Sequence, residues 1–277
     1  MKNRVVFLLI ILFPFATILP WGTKAHMLIN KTAVELLPAE MNQFKAFKNY
    51  IEQHAADADK RKAFDKPEPP KHYIDIDYYK EFLSGHMIED EQKLISIYGD
   101  SVVTEKGILP WATLNTFNNL VQAFKEKNRD KILIYASDLG HYVGDGHQPM
   151  HTVVNYNGQL TGQKGVHFRY EVTMLDSNLD ELQNVADPCE VKYVKNVLPF
   201  VFNYITDANS VCGILFEADN YAYKTSGSRE SPEYYRLLWF RTKYITKYQI
   251  AKSEEDAASL FYTAWVDAGK PDLSNLN

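Results

Sequence analysis

Apolar residues recur along the chain at helical spacing. Ile29, Ala33, Leu36 and Leu37 make one stripe and Ile132, Ala136, Leu139 and Val143 another, the spacing that gathers side chains on one face of a helix. Alternating apolar and polar runs, the mark of half-buried strands, are scarce. Breakers cluster at Lys66 to Pro70, Gly107 to Pro110, Gly158 to Gly165 and Thr225 to Pro232, and cut the pattern into helical blocks. With no repeat or low-complexity tract between the blocks, the pattern predicts an all-α, multi-helix chain forming a single domain over residues 21–277. The stretch from Tyr234 to Ala268 is rich in Tyr, Leu, Trp and Lys at helical spacing and reads as two packing helices without chemistry.

The first twenty residues follow another rule. A basic start (Lys2, Arg4) precedes an unbroken apolar run from Val5 to Phe13, the layout of a signal peptide over residues 1–20. The run is too short to span a bilayer, and no polar residue gives it the outward face of a buried helix. The chain is therefore expected to be exported, periplasmic or secreted, with no transmembrane helix in its mature form. Ile18 and Pro20 stand where a cleavage site wants small residues, so a cut nearer Ala16 competes with one before Trp21.

Composition adds size and charge. At 277 residues, 45% hydrophobic, the chain can bury a core unaided. Its 30 Lys and Arg against 35 Asp and Glu leave a formal charge of −5, so no global basic field exists to hold a long polyanion. A bound metal cluster would supply local positive charge that composition does not count. The two cysteines, Cys189 and Cys212, form either one disulfide or two buried thiols, and neither belongs to a C-x-x-C pair.

All eight histidines fall at or before His167. The densest segment runs from Asp138 to His151, and on a helix Asp138, His141 and Asp145 share a face opposite the apolar stripe. His141 and Asp145 can touch one ion. Gly146 and Pro149 are expected to end that helix and turn the chain so that His151 reaches a second ion. After the Gly158 to Gly165 loop, His167 and Glu171 stand at i and i+4 on another short helix. Imidazole and carboxylate together suit Zn²⁺, with about four ligands per ion, better than Mg²⁺, which prefers oxygen.

These residues resemble those of the zinc-dependent phospholipase C and S1/P1 nuclease superfamily. The match is carried by His141-Tyr-Val-Gly-Asp145-x-x-Gln-Pro-Met-His151 followed by His167-x-x-x-Glu171, and upstream by Trp21-Gly-x-x-x-His26, Asp57 and Asp59, and Pro70-Lys-His72-Tyr-Ile-Asp75. The Leu260 to Pro271 ending, with Trp265 and Gly269, resembles the family's last helix. The resemblance implies the all-α fold of that superfamily and two or three zinc ions. It puts His72, His141, Asp145 and one of Asp57 and Asp59 on the first zinc, with Asp145 bridging to another. His151, His167 and Glu171 would hold a second. Trp21, through its free amine and carbonyl, and His26 would complete a third with Asp145, provided that cleavage falls directly before Trp21.

Between the two upstream carboxylates, spacing to His72 fits the family better for Asp57, while Asp59 can instead cap the next segment or pair with Arg61. His54 and His86 read as surface or packing imidazoles, and His147 as a group that orients a ligand. Tyr73 and Asp75 are candidates for the substrate-cleft wall, although helix packing explains Tyr73 equally well. The resemblance further implies in-line attack on a phosphodiester by a zinc-activated water, with Asp145 and one of Asp57 and Asp59 as the catalytic carboxylates. Substrate is a phospholipid headgroup or single-stranded nucleic acid, and no obligate protein partner is expected. Glu171, where the nucleases usually carry Asp, and the Gly-Asp-x-x-Gln-Pro-Met-His wording around Asp145 favour phospholipase C, which is the expected activity; His147, where the nucleases carry a His, supports the alternative of an S1/P1-type single-strand nuclease, and a helical zinc-binding module without turnover is the third reading.

Overall fold

The computed structural model describes residues 22–182 and 190–274. No strand occurs among them. Six long helices, α1 (Thr23–Leu36), α2 (Leu109–Glu126), α3 (Arg129–His147), α4 (Val197–Ser210), α5 (Cys212–Ser226) and α6 (Pro232–Asp267), are linked by shorter helical segments. Their ends follow local chemistry. Asn128 caps α3, its Oδ1 accepting from Lys131 N at 3.1 Å, and Ser231 caps α6 by accepting from Tyr234 N at 3.2 Å, with Pro232 in the first turn. Gly227, at φ +75°, closes α5 in the left-handed conformation.

The helices surround two apolar cores. The first is built from Phe117, Leu120 and Phe124 of α2, Ile132, Ala136, Leu139 and Val143 of α3, Val201 and Ile205 of α4, and Ala257, Phe261 and Ala264 of α6. The second gathers Ala25 and Ile29 of α1, Val166, Tyr170 and Met174 from the segment after the Gly158 to Gly165 loop, Leu215 of α5, and Tyr234, Leu238 and Ile250 of α6. The α1 stripe runs from one core to the other, Ile29 packing in the second and Ala33 and Leu37 in the first.

Tyr234 to Ala268 holds one helix rather than two. No Gly or Pro interrupts the 36 residues of α6 after Pro232, so the backbone continues, and only its packing partners change along a length of about 54 Å. The α3 terminus also differs from expectation. The helix runs through Gly146 to His147, and Gly146 is instead where Tyr204 of α4 packs, its ring 2.4 Å from where a Cβ would stand. The reversal falls to Gln148, whose side chain accepts from Met150 N at 3.2 Å at the head of the 3-10 turn Pro149–His151.

Two further glycines let α1 approach α3. A Cβ on Gly140 would lie 1.9 Å from Asn30 Oδ1, and one on Gly144 would lie 3.1 Å from His26 Nδ1. Asn30 occupies the first gap and donates to Ser137 O at 3.0 Å. Cys212 is a buried free thiol, 3.1 Å from Pro149 O; Cys189, the proposed signal segment and Trp21 lie outside the described residues. Among the described residues no helix is long and apolar enough to cross a membrane.

Candidate metal centre

Six pieces of chain converge on one buried cluster. His26 comes from α1, Asp59 from the short helix Asp57–Arg61, His72 from the 3-10 turn Pro69–His72, and His141 and Asp145 from successive turns of α3. His151 closes the turn after α3. His167 and Glu171 come from Val166–Phe168 and the π-helical turn Arg169–Met174 that continues it. The sequence reading has an α-helical pair here; the chain instead widens into a π turn, a feature common at functional sites, and His167 Nε2 still meets Glu171 Oε2. Every one of these side chains is buried except His167, which is half-buried.

The donor atoms face one another. His72 Nδ1 lies 2.9 Å from Asp145 Oδ2 and 3.5 Å from Asp59 Oδ1, while His141 Nε2 lies 3.0 Å from His72 Nδ1, 3.2 Å from Asp145 Oδ2 and 3.5 Å from Asp59 Oδ1. His26 stacks on His141 at 3.9 Å and turns Nε2 to Asp145 Oδ1 at 3.5 Å. On the other side, His151 Nδ1 is 3.3 Å from that same Oδ1, and its Nε2 is 3.5 Å from Glu171 Oε1. Asp145 thus stands between His26, His72, His141 and His151.

Backbone carbonyls fix which nitrogens point inward. His141 Nδ1 lies 2.8 Å from Ala55 O and His151 Nδ1 lies 2.6 Å from His72 O; donating there leaves each Nε2 lone pair for the centre. Behind His72, Glu68 Oε1 faces Nε2 at 3.5 Å. Glu68 also accepts from Tyr142 Oη, from Lys71 at 2.7 Å and from Arg61 at 3.2 Å, and Arg61 reaches Asp138 at 2.8 Å. The sequence does not mark Glu68 as the hub of this layer, because its partners are scattered from 61 to 142 with no local spacing to show them.

The electrostatics favour positive charge among these carboxylates. Burial would raise the Asp145 carboxyl, but His141 and His151 outweigh it and hold it well below the carboxylate range; burial is likewise outweighed at Asp59, by His141 and Lys62, and at Glu171, by His167 and His151. Burial lowers His141, yet Asp145 and Asp59 raise it to about 10, whereas burial and His141 lower His26 to about 3. A proton on His141 is the smallest cation these carboxylates can recruit.

A zinc ion fits the same donors. Four ligands at about 2.0–2.2 Å in a tetrahedron stand about 3.3–3.6 Å apart, close to the separations among Asp59, His72, His141 and Asp145. Buried atoms without a hydrogen-bond partner concentrate here, including both His26 nitrogens, Asp59 Oδ2, Asp145 Oδ1, His151 Nε2 and Glu171 Oε1. Such orphans are costly unless an ion satisfies them. Three groups hold donor atoms within 4.8 Å of one another: Asp59, His72 and His141; His26, His141 and Asp145; and His151, His167 and Glu171.

A cleft of about 460 Å³ opens onto His72, His151 and His167. Tyr73 and Asp75 line it, together with Lys62, Lys106 and Tyr156, which the sequence reading does not single out. Lys62 Nζ lies 2.7 Å from Asp59 Oδ1, the i+3 spacing on a helix being the only local sign of it. Gly107, at φ +89°, lets the 106–109 strand of chain lie against Tyr73, whose carbonyl would be 2.1 Å from a Cβ there. Burial pushes the Asp75 carboxyl up to about 6 against the pull of Lys106.

Other candidates are placed elsewhere. Asp57 turns outward to His54 at 2.5 Å and Lys60 at 2.6 Å, away from the donor cluster. Arg61 pairs with Glu68 and Asp138, so Asp59 is not its partner. His147 touches no donor of the centre; it stacks on Tyr204 at 4.5 Å and is held by Gln249 and Asp256 of α6, at 3.2 and 3.0 Å. His54 stacks on Tyr50, and exposed His86 bonds only Ser84 O. No curated protein matches the chain. The family model described as S1/P1 Nuclease matches residues 21–188.

Proposed function

The chain belongs to the S1/P1 nuclease family of all-α phosphodiester hydrolases, and from that membership we propose that it is a zinc-dependent nuclease acting on single-stranded nucleic acid. The observation that carries the reading is the buried set of unpartnered imidazole and carboxylate atoms opening into a cleft with two lysines and two tyrosines. The match to the nuclease family moves the preference away from phospholipase C, which keeps one supporting residue, Glu171.

We assign Asp59, His72, His141 and Asp145 to one zinc, and His151, His167 and Glu171 to a second, with His26 and Asp145 offering part of a third. Asp59 replaces Asp57 in this set because it alone faces the donors. Bound zinc supplies Lewis acidity, which lowers the pKa of water towards neutrality and offsets phosphate charge. The protein supplies position. Asp59 accepts a hydrogen bond from the attacking water and takes its proton, Lys62 beside it neutralises charge gathering on a phosphate oxygen, and the Tyr73 and Tyr156 rings offer faces to bases. Asp75, balanced near its titration point, accepts from base N–H groups, and Lys106 beside it meets a neighbouring phosphate.

The reading includes export, with residues 1–20 removed and 21–277 acting as one domain; mass spectrometry of the mature N-terminus checks this and decides whether a Trp21 amine exists. Metal analysis, followed by turnover of single-stranded DNA, RNA and phosphatidylcholine with and without chelator, tests the activity. Chelator-sensitive hydrolysis of nucleic acid is expected. Hydrolysis of phosphatidylcholine alone would return the assignment to phospholipase C, and zinc without turnover would leave a binding module.

A further inference from the structure

The segment from Tyr221 to Lys252 differs in charge from the rest of the chain. It carries seven Lys and Arg against two Glu, in a protein of net charge −5, and eight of its residues are aromatic. On α6 the exposed rings Phe240, Tyr244 and Tyr248 recur every fourth residue, and Lys243 falls on the same side of the helix with Arg236, paired to Glu233 at 2.7 Å, and Lys247, paired to Glu181 at 3.0 Å. Basic groups lie on rings across the surface. Arg241 covers Tyr221 of α5 at 3.9 Å, Arg229 covers Tyr223 at 4.1 Å and Lys243 stands 5.2 Å from the Tyr244 centroid. A groove of about 400 Å³ runs between α6 and the α4–α5 junction, lined by Tyr244, Ile245, Tyr248 and Gln249 of α6 and by Asp207 and Ser210 of α4.

None of this belongs to the metal centre. The inner face of α6 supports the π turn, through Tyr234 to Arg169 at 3.0 Å and Thr246 to Tyr170 at 2.9 Å, and the aromatic, basic face looks the other way. Buried packing explains Tyr234 and Trp239, but not a row of rings at 53 to 77% exposure. Interleaved cations and flat rings are the chemistry of single-strand binding, where phosphates follow the charge and bases stack on aromatic faces.

We propose that the outer face of α5 and α6 is an accessory binding surface for extended single-stranded nucleic acid, with the Tyr244–Tyr248 groove receiving a base. The proposal rests on the nuclease reading and adds a second point of attachment. A strand held there raises the local concentration of its free segments at the cleft, so long substrates gain and dinucleotides do not. The charge is local, the groove is base-sized, and tyrosine predominates over the Leu, Ile and Trp that a lipid-inserting face would carry.

The test uses the zinc-loaded full protein, the double variants Tyr244→Ala/Tyr248→Ala and Arg241→Glu/Lys243→Glu, and a long phosphorothioate oligothymidylate read by fluorescence anisotropy. Each double variant should weaken binding roughly tenfold or more and reduce its salt dependence where charge is removed. KM for a long strand should rise in step, with kcat and dinucleotide turnover unchanged. Unaltered binding in both variants would overturn the proposal. So would weakened association with anionic phospholipid vesicles alone, or loss of self-association in sedimentation with strand binding intact. Since the binding arm needs no hydrolysis, absence of turnover would count against the activity and leave this surface separately decided.

Discussion

The π turn carries two buried charges that face different environments. Glu171 turns towards His151 and His167, among buried carboxylate and imidazole atoms that lack hydrogen-bond partners. Arg169, two residues earlier, turns towards Asp219, both of whose oxygens are partnered: Asp219 Oδ1 accepts from Arg169 at 2.8 Å and from Tyr234 Oη, and Oδ2 accepts from Gln163 at 2.8 Å and Arg229 at 3.3 Å. Both clusters are buried to similar depth, so burial alone does not mark a site. A completed network holds the chain in place, whereas an incomplete one has donor atoms left over for a cation.

The sharpest way to break the contrast is Asp145→Asn. With the central carboxylate gone, zinc content by mass spectrometry should fall and turnover should drop on the order of 10³-fold or more. Arg169→Met attacks the completed side. It strands the Asp219 charge and should cost about 3–5 kcal/mol in urea denaturation, and Arg169→Met/Asp219→Leu should recover most of that loss. Undiminished stability in the single variant would show that the network does not hold the turn.

Glu254 supplies a third case, a buried carboxyl on α6 with neither ion nor guanidinium. Burial pushes it up to about 8, against the Thr32 hydrogen bond. Because the folded pKa lies above the ordinary 4.5, the stability it contributes is complete below about pH 4.5 and is lost as pH rises towards 8. Glu254→Gln should therefore melt like the parent in acid and stand above it, by a few kcal/mol, at pH 8; parallel melting curves across that range would sink the assignment. The smallest effect is expected at Glu68→Gln, behind His72, with zinc affinity falling by about 10- to 100-fold in chelator competition while secondary structure is retained.

How far the sequence reaches depends on how local the information is. His141 with Asp145 and His167 with Glu171 are each a single turn apart, and the apolar stripes of α1 and α3 repeat on the same scale, so the helices and the imidazole–carboxylate contacts are legible together. The choice between Asp57 and Asp59 is not, because it depends on the phase of a five-residue helix against α3 and on Lys62. His147 sits inside the most recognisable motif and yet serves α6, whose Gln249 and Asp256 lie about a hundred residues away. Lys62, Lys106 and Tyr156 are common surface residue types in sequence and acquire meaning only when the cleft closes around them. The two-helix reading of α6 has the opposite cause: a change in the buried face along one uninterrupted rod looks, in one dimension, like a boundary.

That rod also sets how the protein fails. Since α6 is the axle on which both cores are mounted, neither can come apart without exposing the flank of a helix that the other still needs. Calorimetry should then show one heat-absorption peak instead of two, and a protease able to nick the middle of α6 would release both halves at once.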